Sequence, residues 1–337
     1  MNTYNKFIPK NTAILGARRI GIYDANGNRV GQIPLGSLTP PNDKKKLYSF
    51  GALSDIHIVY DTAASDFQAA LTYLNNDIDV AFTCICGDLT DDGTAAQLAK
   101  YKTVVDTYSA DTPVYAIAGN HENYDGTPVT TEKIQPYTGQ PFYYSFEHGN
   151  DVYIMCGCYK ATAGSIFTTE ELQWLYETLE ANRNKRCFVF EHIFPWDDSG
   201  NANSSYAYGN LFAGTQGDVF KSLMTHYKNT VFFHGHSHLK FYLQEEDRKA
   251  NYSEALGYRS VHIPSLSVPR DIVDGTLTNI YADSEGYVVD VYEDGIHLRG
   301  RDFVKGEYLP IASYWLDTTL QTIAEKTYTD PTGTINT

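Results

Sequence analysis

Five short clusters of acidic, histidine and asparagine side chains, each directly after an apolar segment, constrain this chain more than any other sequence feature. The last cluster spans residues 234–238, contains three histidines and follows the apolar run 231–233. Side chains two residues apart on an extended chain point to the same side, so His236 and His238 should face one target. The other clusters contain Asp55 and His57, Asp88, Asn120 and His121, and His192.

Strand-like and helix-like segments alternate from about residue 47 to residue 240. Strands are predicted at 48–54, 80–86, 113–118, 152–158, 186–190 and from 231. Helices are predicted after the capping-box patterns that begin at Ser65, Thr94 and Thr168, and near residues 218–227. Beyond residue 258 the pattern is mostly strand, at 260–263, 287–292 and 296–300. This order predicts a layered α/β fold in which a second sheet packs on the first.

The two ends of the chain differ from this central part. Asn26-Gly27 between two strand-like runs predicts a β-hairpin, and the polar, proline-marked residues 39–46 predict a linker. We therefore divide the chain into an extension at 1–46, a main domain at 47–317 and a loosely ordered tail at 318–337. The extension either completes a sheet edge or contacts a protein partner.

Composition limits the functional classes. A net charge of −15 argues against broad electrostatic binding to nucleic acid. All five cysteines lie in apolar runs, which predicts buried thiols in a reducing compartment, although the two Cys-x-Cys pairs leave zinc binding open. The sequence shows neither a membrane-length apolar segment nor a signal-peptide pattern, so we expect a cytoplasmic protein without membrane attachment.

Taken singly, each cluster has an ordinary structural explanation as a helix cap, a turn or a hydrogen-bonded core histidine. Taken together, five consecutive strand ends supply Asp, His and Asn side chains to the edge where α/β sheets bind ligands. Carboxylate and imidazole donors without cysteine suit Mn, Fe, Zn or Co. Two such ions a few ångströms apart can clamp a phosphoryl group.

The ordered set resembles the calcineurin-like metallophosphoesterases over about residues 47–300. The resemblance rests on Asp55-x-His57, Gly87-Asp88, Gly119-Asn120-His121-Glu122, His192 and Gly235-His236-x-His238. It implies a four-layer fold, with two mixed β-sheets flanked by helices and two metal ions at one edge.

The resemblance also implies a role for each position. Asp55, His57 and His238 would hold one metal ion, Asn120, His192 and His236 the second, and Asp88 would bridge both. A metal-bound hydroxide would attack phosphorus in line. His121 would contact the phosphoryl or leaving-group oxygen as a catalytic residue, and Asp91 would orient His121.

Two departures bear on the substrate. Protein phosphatases of this superfamily have an arginine where this chain has Asp92, and a carboxylate there would repel a phosphate dianion. Glu122 resembles that branch, whereas the Gly-His-x-His ending resembles the phosphodiesterases. A singly charged diester suits such a site better, so we expect a phosphodiester or a small phosphomonoester as substrate.

The substrate-binding residues are less sharply defined. Tyr124 and Trp196 follow ligand positions and either line the substrate site or pack within their loops. Arg270, after a predicted strand, is the candidate cation for the phosphate. Two other functions stay open: a non-catalytic binding or structural protein on the same scaffold, and a nuclease, which the negative charge disfavours.

Overall fold

The computed structural model describes residues 19–23, 29–34, 44–59, 62–160, 166–195, 214–241, 251–254, 256–274 and 276–337. The strands in these ranges are β1 (Arg19–Tyr23), β2 (Arg29–Pro34), β3 (Lys46–Leu53), β4 (Phe82–Cys86), β5 (Val114–Ile117), β6 (Tyr144–His148), β7 (Asp151–Met155), β8 (Cys187–Phe190), β9 (Thr230–His234), β10 (Tyr252–Ser253), β11 (Arg259–His262), β12 (Arg270–Val273), β13 (Thr276–Asn279), β14 (Glu285–Tyr292), β15 (Gly295–Asp302) and β16 (Glu307–Asp317). The α-helices are α1 (Ala63–Tyr73), α2 (Ala95–Tyr108), α3 (Thr131–Thr138), α4 (Thr169–Ala181) and α5 (Thr215–His226).

Two mixed six-stranded sheets form the centre of the fold. The first has the order β16-β15-β14-β3-β4-β5, and the second has the order β10-β11-β9-β8-β7-β6. In each sheet the strands that lead to the predicted site are parallel: β3, β4 and β5 in the first, β7, β8, β9 and β11 in the second. Antiparallel strands complete the edges. Parallel strands end at the same edge, so their loops meet there.

Three apolar layers hold the sheets and helices together. Between the sheets lies an aromatic core in which Phe50 packs on Phe82, Tyr153 and Phe188, with ring centroids 5.3–5.5 Å apart. Helices α1, α2 and α3 cover the outer face of the first sheet, and α4 and α5 cover that of the second. Each strand between two such layers is apolar on both faces, which is why it reads as a continuous apolar run. The predicted four-layer sandwich is confirmed.

Of the helix caps predicted at Thr168 and Thr94, the structure contains the first and not the second. The Thr168 hydroxyl accepts a hydrogen bond from the backbone N–H of Glu171 at 3.1 Å, which confirms that helix cap. Thr94 does not cap α2 with its side chain; instead Gln97 Oε1 accepts from the backbone N–H groups of Asp91 and Asp92, at 2.8 and 2.9 Å. The first turn of α2 thus holds the loop that follows β4. Helix α3 and strands β6, β10, β12, β13 and β16 were not predicted.

The predicted N-terminal hairpin is confirmed, because β1 and β2 pair antiparallel; its turn and most of the linker lie outside the described residues. The expectation of a loosely ordered tail is wrong. Tyr328 and Ile335 are buried in the layer beneath α4, and the Asp330 carboxylate accepts hydrogen bonds from the backbone of Thr334 and Ile335. All five cysteines are buried free thiols, as predicted. Within the described part of the chain, no helix has the length and apolarity needed to cross a bilayer.

A buried ion pair links the two sheets at the end opposite the predicted site. Arg186 precedes β8 and binds both carboxylate oxygens of Asp151 through Nε and Nη2, at 2.9 and 2.7 Å. Its Nη1 donates to the backbone carbonyls of Tyr292 and Gly295 and to the Thr318 hydroxyl. One side chain therefore ties β7 to β14, β15 and the start of the C-terminal segment.

Arg186→Met is expected to lower the free energy of unfolding by about 3–5 kcal/mol, because it leaves the buried Asp151 carboxylate without its partner. The double variant Arg186→Met/Asp151→Asn removes both charges and should recover much of the loss. Urea unfolding of the three proteins checks this. A single variant within about 1 kcal/mol of the wild type would contradict it, since that is the range of an exposed pair.

Candidate metal centre

The predicted ligand residues meet at one edge of the two sheets. Asp55 and His57 follow β3, Asp88 follows β4, Asn120 follows β5, His192 follows β8, and His236 and His238 follow β9. Backbone hydrogen bonds join these loops: the N–H of Asp55 donates to the Gly87 carbonyl at 3.1 Å, and that of Gly235 to the His192 carbonyl at 3.2 Å. All seven side chains are buried, between 0 and 8% exposed.

Asp88 lies at the centre of this cluster and belongs to two groups of potential ligands. In the first group the donor atoms of Asp55, His57, Asp88 and His238 lie within 4.8 Å of one another. In the second group the donor atoms of Asp88, His192 and His236 also lie within 4.8 Å of one another. Asp88 Oδ2 is 2.9 Å from His192 Nε2. A carboxylate shared by two donor groups has the placement of a bridging ligand.

Three imidazoles present the same nitrogen to the cluster. Nδ1 of His192 contacts the Cys86 carbonyl at 2.6 Å, and Nδ1 of His238 contacts the Val268 carbonyl at 3.1 Å. Nδ1 of His57 lies 3.3 Å from the Asp91 carboxylate. Because oxygen acceptors occupy Nδ1, the neutral rings carry their lone pair on Nε2. Anchored Nδ1 and inward Nε2 is the usual arrangement of a metal-binding histidine.

Two of these nitrogens face each other. His57 Nε2 and His238 Nε2 are 3.1 Å apart, and in the neutral rings each brings a lone pair rather than a hydrogen. Opposed lone pairs repel unless a proton or a cation lies with them. The donor set, with its carboxylates, imidazoles and one amide oxygen, therefore fits a cation site.

Asn120 lies beside this cluster, since the backbone N–H of the next residue, His121, donates to Asp88 Oδ1 at 2.9 Å. Its Nδ2 donates to the Tyr124 hydroxyl at 2.9 Å, whereas Oδ1 is buried and has no hydrogen-bond partner among the described residues. A buried amide oxygen without a donor is costly, and coordination of a cation would satisfy it.

The backbone at the cluster is strained. Asp55, His57, Asp88, His236 and His238 all have positive φ, between 42° and 72°. For residues other than glycine this left-handed conformation costs about 1–3 kcal/mol each and persists only where the surroundings impose it. Five of the seven candidate ligands share it, so the fold maintains this arrangement at the expense of stability.

Three glycines allow the loops to approach one another. A Cβ atom at Gly87 would lie 2.6 Å from the His192 ring, and one at Gly119 would lie 2.2 Å from the Asp88 carboxylate. At Gly235 it would lie 1.9 Å from Ser54 Oγ. The glycines of the Gly-Asp, Gly-Asn-His and Gly-His motifs are therefore required for space.

The site is electrostatically matched to cations. Burial alone would raise the pKa of Asp88, but His192 and His121 outweigh it and hold that pKa well below its usual value. Burial lowers the pKa of His192, yet Asp88 and Asp55 raise it to about 10. Burial dominates at His238 and lowers its pKa to about 4. Ionised carboxylates thus create a negative field in which a proton and a metal cation compete for His192 Nε2.

His121 lies at the rim of the cluster, with its side chain 22% exposed and its Nε2 3.9 Å from Asp88 Oδ2. Its Nδ1 contacts the backbone carbonyl of Asp91 at 2.7 Å, while the Asp91 carboxylate is 3.6 Å away. That carboxylate is closer to His57 Nδ1, at 3.3 Å. Asp91 therefore contacts His121 most closely through its main chain, and its carboxylate lies nearer to His57 than to His121.

The structure describes two of the three candidate substrate-binding residues, Tyr124 and Arg270. Tyr124 is 54% exposed, and its ring centroid lies 4.2 Å from that of His121. Arg270 lies close enough to lower the pKa of His238, and its Nε donates to Asn279 Oδ1 at 3.0 Å. Trp196 lies outside the described residues. Asp92 is exposed and accepts from Gln97 Nε2, so its carboxylate is held at the surface.

Several supporting residues were not predicted. The hydroxyls of Ser265 and Ser267 donate to the backbone carbonyls of Asp55 and Ile56, at 2.9 and 2.6 Å. His262, interpreted from sequence as structural, lies 2.9 Å through Nε2 from the Ser237 hydroxyl between two candidate ligands. His262 is the last residue of β11 and the two serines follow that strand, so only the Ser-x-Ser spacing offered a sequence signal.

Comparison with solved structures shows what the fold resembles. A purple acid phosphatase from yellow lupin (Lupinus luteus) seeds superimposes with a TM-score of 0.53 at 14% identity, over 89% of this chain and 59% of that chain. GAP50, the anchor in the inner membrane complex of Plasmodium, gives 0.52 at 15% identity, over 87% of this chain and 92% of that chain. At these identities the likeness concerns the fold alone. No curated protein sequence matches the chain.

The family comparison is more specific. The model of the calcineurin-like phosphoesterases matches residues 48–240, which is more than half of the chain and includes all of the candidate ligand positions. The strand-end clusters, the double-sheet fold and this match agree, and the chain belongs to the calcineurin-like phosphoesterase family.

Proposed function

We propose that this protein is a metal-dependent hydrolase of small phosphate esters, with a preference for phosphodiesters. The observation that carries the proposal is the position of Asp88, which is shared by two groups of buried carboxylate and imidazole donors. Two cations joined by one carboxylate are the arrangement that stabilises both the attacking and the leaving oxygen of an in-line displacement.

The ligand assignment follows the two donor groups. Asp55, His57 and His238 would hold one ion, and Asn120, His192 and His236 the other; Asp88 would bridge them. Mn, Fe, Zn and Co fit this donor set. When bound, the pair supplies Lewis-acid polarisation of the phosphoryl group and lowers the pKa of water.

His121 is the residue that we propose to move a proton. A carbonyl oxygen only accepts, so the contact with the Asp91 carbonyl places a hydrogen on Nδ1. Nε2 then carries a proton only in the imidazolium form, and it lies 3.9 Å from Asp88 Oδ2. As the bond between phosphorus and the leaving oxygen breaks, Nε2 donates that proton to the leaving oxygen. General-acid catalysis of this kind contributes about 10²–10⁴-fold in rate.

The preference for diesters rests on charge. The position that carries an arginine in the protein-phosphatase branch is here Asp92, which bonds Gln97 at the surface and supplies no cation to the phosphate. Arg270, near His238, is then the proposed phosphate contact. A diester carries one negative charge where a monoester dianion carries two, and it needs less cationic compensation.

Removal of the metal is expected to abolish turnover. The purified full-length chain should contain about two transition-metal ions by elemental analysis. It should lose hydrolysis of bis-aryl and aryl phosphates after chelation and regain it on addition of Mn²⁺ or Zn²⁺. The ratio of the two activities measures the diester preference.

Retained turnover in the metal-stripped protein would rule out the mechanism. A metal-loaded chain that is inert across a broad panel of esters would instead favour a binding or structural role on the same scaffold. Strong, salt-dependent DNA binding would favour a nuclease.

A further inference from the structure

Tyr124 contacts two residues of the metal centre at once. Its hydroxyl accepts a hydrogen bond from Asn120 Nδ2 at 2.9 Å, and its ring lies 4.2 Å from the His121 ring with the planes inclined by 37°. The side chain is otherwise half exposed, so packing alone gives little reason for this placement. From sequence it was a candidate either for contact with the substrate or for packing within its loop.

The contact with Asn120 fixes which end of its amide the Tyr124 hydroxyl binds. An asparagine amide can turn over by 180°, which exchanges a coordinating oxygen for an NH₂ group that cannot coordinate. The Tyr124 hydroxyl binds the NH₂ end, and Oδ1 remains buried without a hydrogen-bond partner. We propose that Tyr124 is a positioning residue that fixes the Asn120 amide with its oxygen toward the metal centre.

This inference rests on the proposed function, because it assigns Asn120 to a cation. It adds a residue that does not itself coordinate and that the sequence motifs do not contain. Partners of this type are typically worth about 10–100-fold in metal affinity.

The test measures metal binding rather than turnover. Full-length protein is stripped of metal and titrated with Mn²⁺ by calorimetry, as the wild type and as Tyr124→Phe, which keeps the ring and loses the hydroxyl. We expect one of the two binding steps to weaken about 10–100-fold and the other to stay within about twofold. Equal affinities in both proteins would overturn the proposal.

The chain offers a matched control. Asn279 Nδ2 donates to the Tyr281 hydroxyl at 3.2 Å, and Tyr281 is 50% exposed, so Tyr281→Phe breaks the same kind of bond outside the candidate ligand set. Its Mn²⁺ affinities should match the wild type. An equal loss in this variant would overturn the proposal by showing that the effect of Tyr124→Phe is not local.

A second background tests the orientation argument directly. Asn120→Asp replaces the amide with a carboxylate, in which both ends coordinate and no hydroxyl is needed to select one. In that background Tyr124→Phe should change Mn²⁺ affinity less than about twofold, because the two substitutions are coupled. If the full loss persists, the hydroxyl acts by another route and the proposal is wrong.

Failure of the proposed function is distinguishable from failure of this inference. If the protein is inert but binds two ions, and Tyr124→Phe weakens its Mn²⁺ affinity, the positioning role stands and the proposed hydrolase function is wrong. If the enzyme is active and Tyr124→Phe leaves its Mn²⁺ affinities unchanged, the hydrolase function stands and the positioning role is wrong.

Discussion

Asp88→Asn should lower kcat/KM for a bis-aryl phosphate by about 10³-fold or more, the upper range for loss of one electrostatic stabiliser in an active site. The substitution keeps the size of the side chain and removes the charge that both donor groups share. It also replaces one carboxylate oxygen with an NH₂ group, so Asp88 could no longer bridge two cations. Elemental analysis should show fewer than two ions per chain.

Asp92→Asn is the matched control for this experiment. Asp92 lies in the same loop, but its carboxylate is exposed and accepts a hydrogen bond from Gln97, which asparagine can still receive. We expect metal content and kcat/KM within about twofold of the wild type, as for surface substitutions that remove no named interaction. Asp88→Asn with wild-type activity would show that the shared carboxylate has no part in catalysis.

Gly235→Ala is expected to disrupt the metal centre although glycine contributes no ligand. The added Cβ would lie 1.9 Å from Ser54 Oγ and 2.5 Å from Asp55 Oδ2, and both side chains are fully buried. Ser54 cannot yield freely because its hydroxyl donates to the Cys86 carbonyl at 2.8 Å. We expect a loss of about 1–3 kcal/mol in stability from overpacking. A shift of about 1 Å in Asp55 should cost about 10²-fold in kcat/KM.

Gly126→Ala separates this steric effect from the general cost of replacing a glycine. Gly126 has a φ of +84°, and a Cβ there would meet nothing within 4 Å. It should lose stability through backbone strain and keep wild-type turnover per folded molecule. Urea unfolding and steady-state kinetics on both variants decide the matter; equal kinetics in the two would contradict the proposed contact with Asp55.

Much of the candidate site could be predicted from sequence because its candidate ligands follow strands of distinctive composition. Parallel strands buried on both faces read as apolar runs, and their ends must meet at one edge, so the residues just beyond them are neighbours in space. Asp55, Asp88 and His192 were found in this way. The aromatic contact of Phe50 and Phe188 between the sheets carried no comparable signal, since neither residue is close to the other in sequence.

The residues that support the ligands were harder to find. Ser265 and Ser267 hold backbone carbonyls of the first cluster from a segment about 210 residues away, and serine is common in loops. The packing of the C-terminal segment was not predicted because its polar, proline-containing sequence resembles a disordered end, whereas Tyr328 packs in the apolar layer beneath α4. Long-range packing of this kind leaves no periodicity in the chain.

The layered fold, the sheet edge where the candidate ligands gather and the identity of those side chains could all be predicted from the residue order. Strand periodicity and the positions of Asp, His and Asn involve residues that are close together in the chain, so they can be recognised without knowing the fold. Three relations become visible only in the folded chain: Asp88 is shared by two donor groups, the Asp91 carboxylate lies beside His57, and the Tyr124 hydroxyl accepts a hydrogen bond from the Asn120 amide. These relations depend on side-chain direction across separate loops, which the packing of two sheets sets.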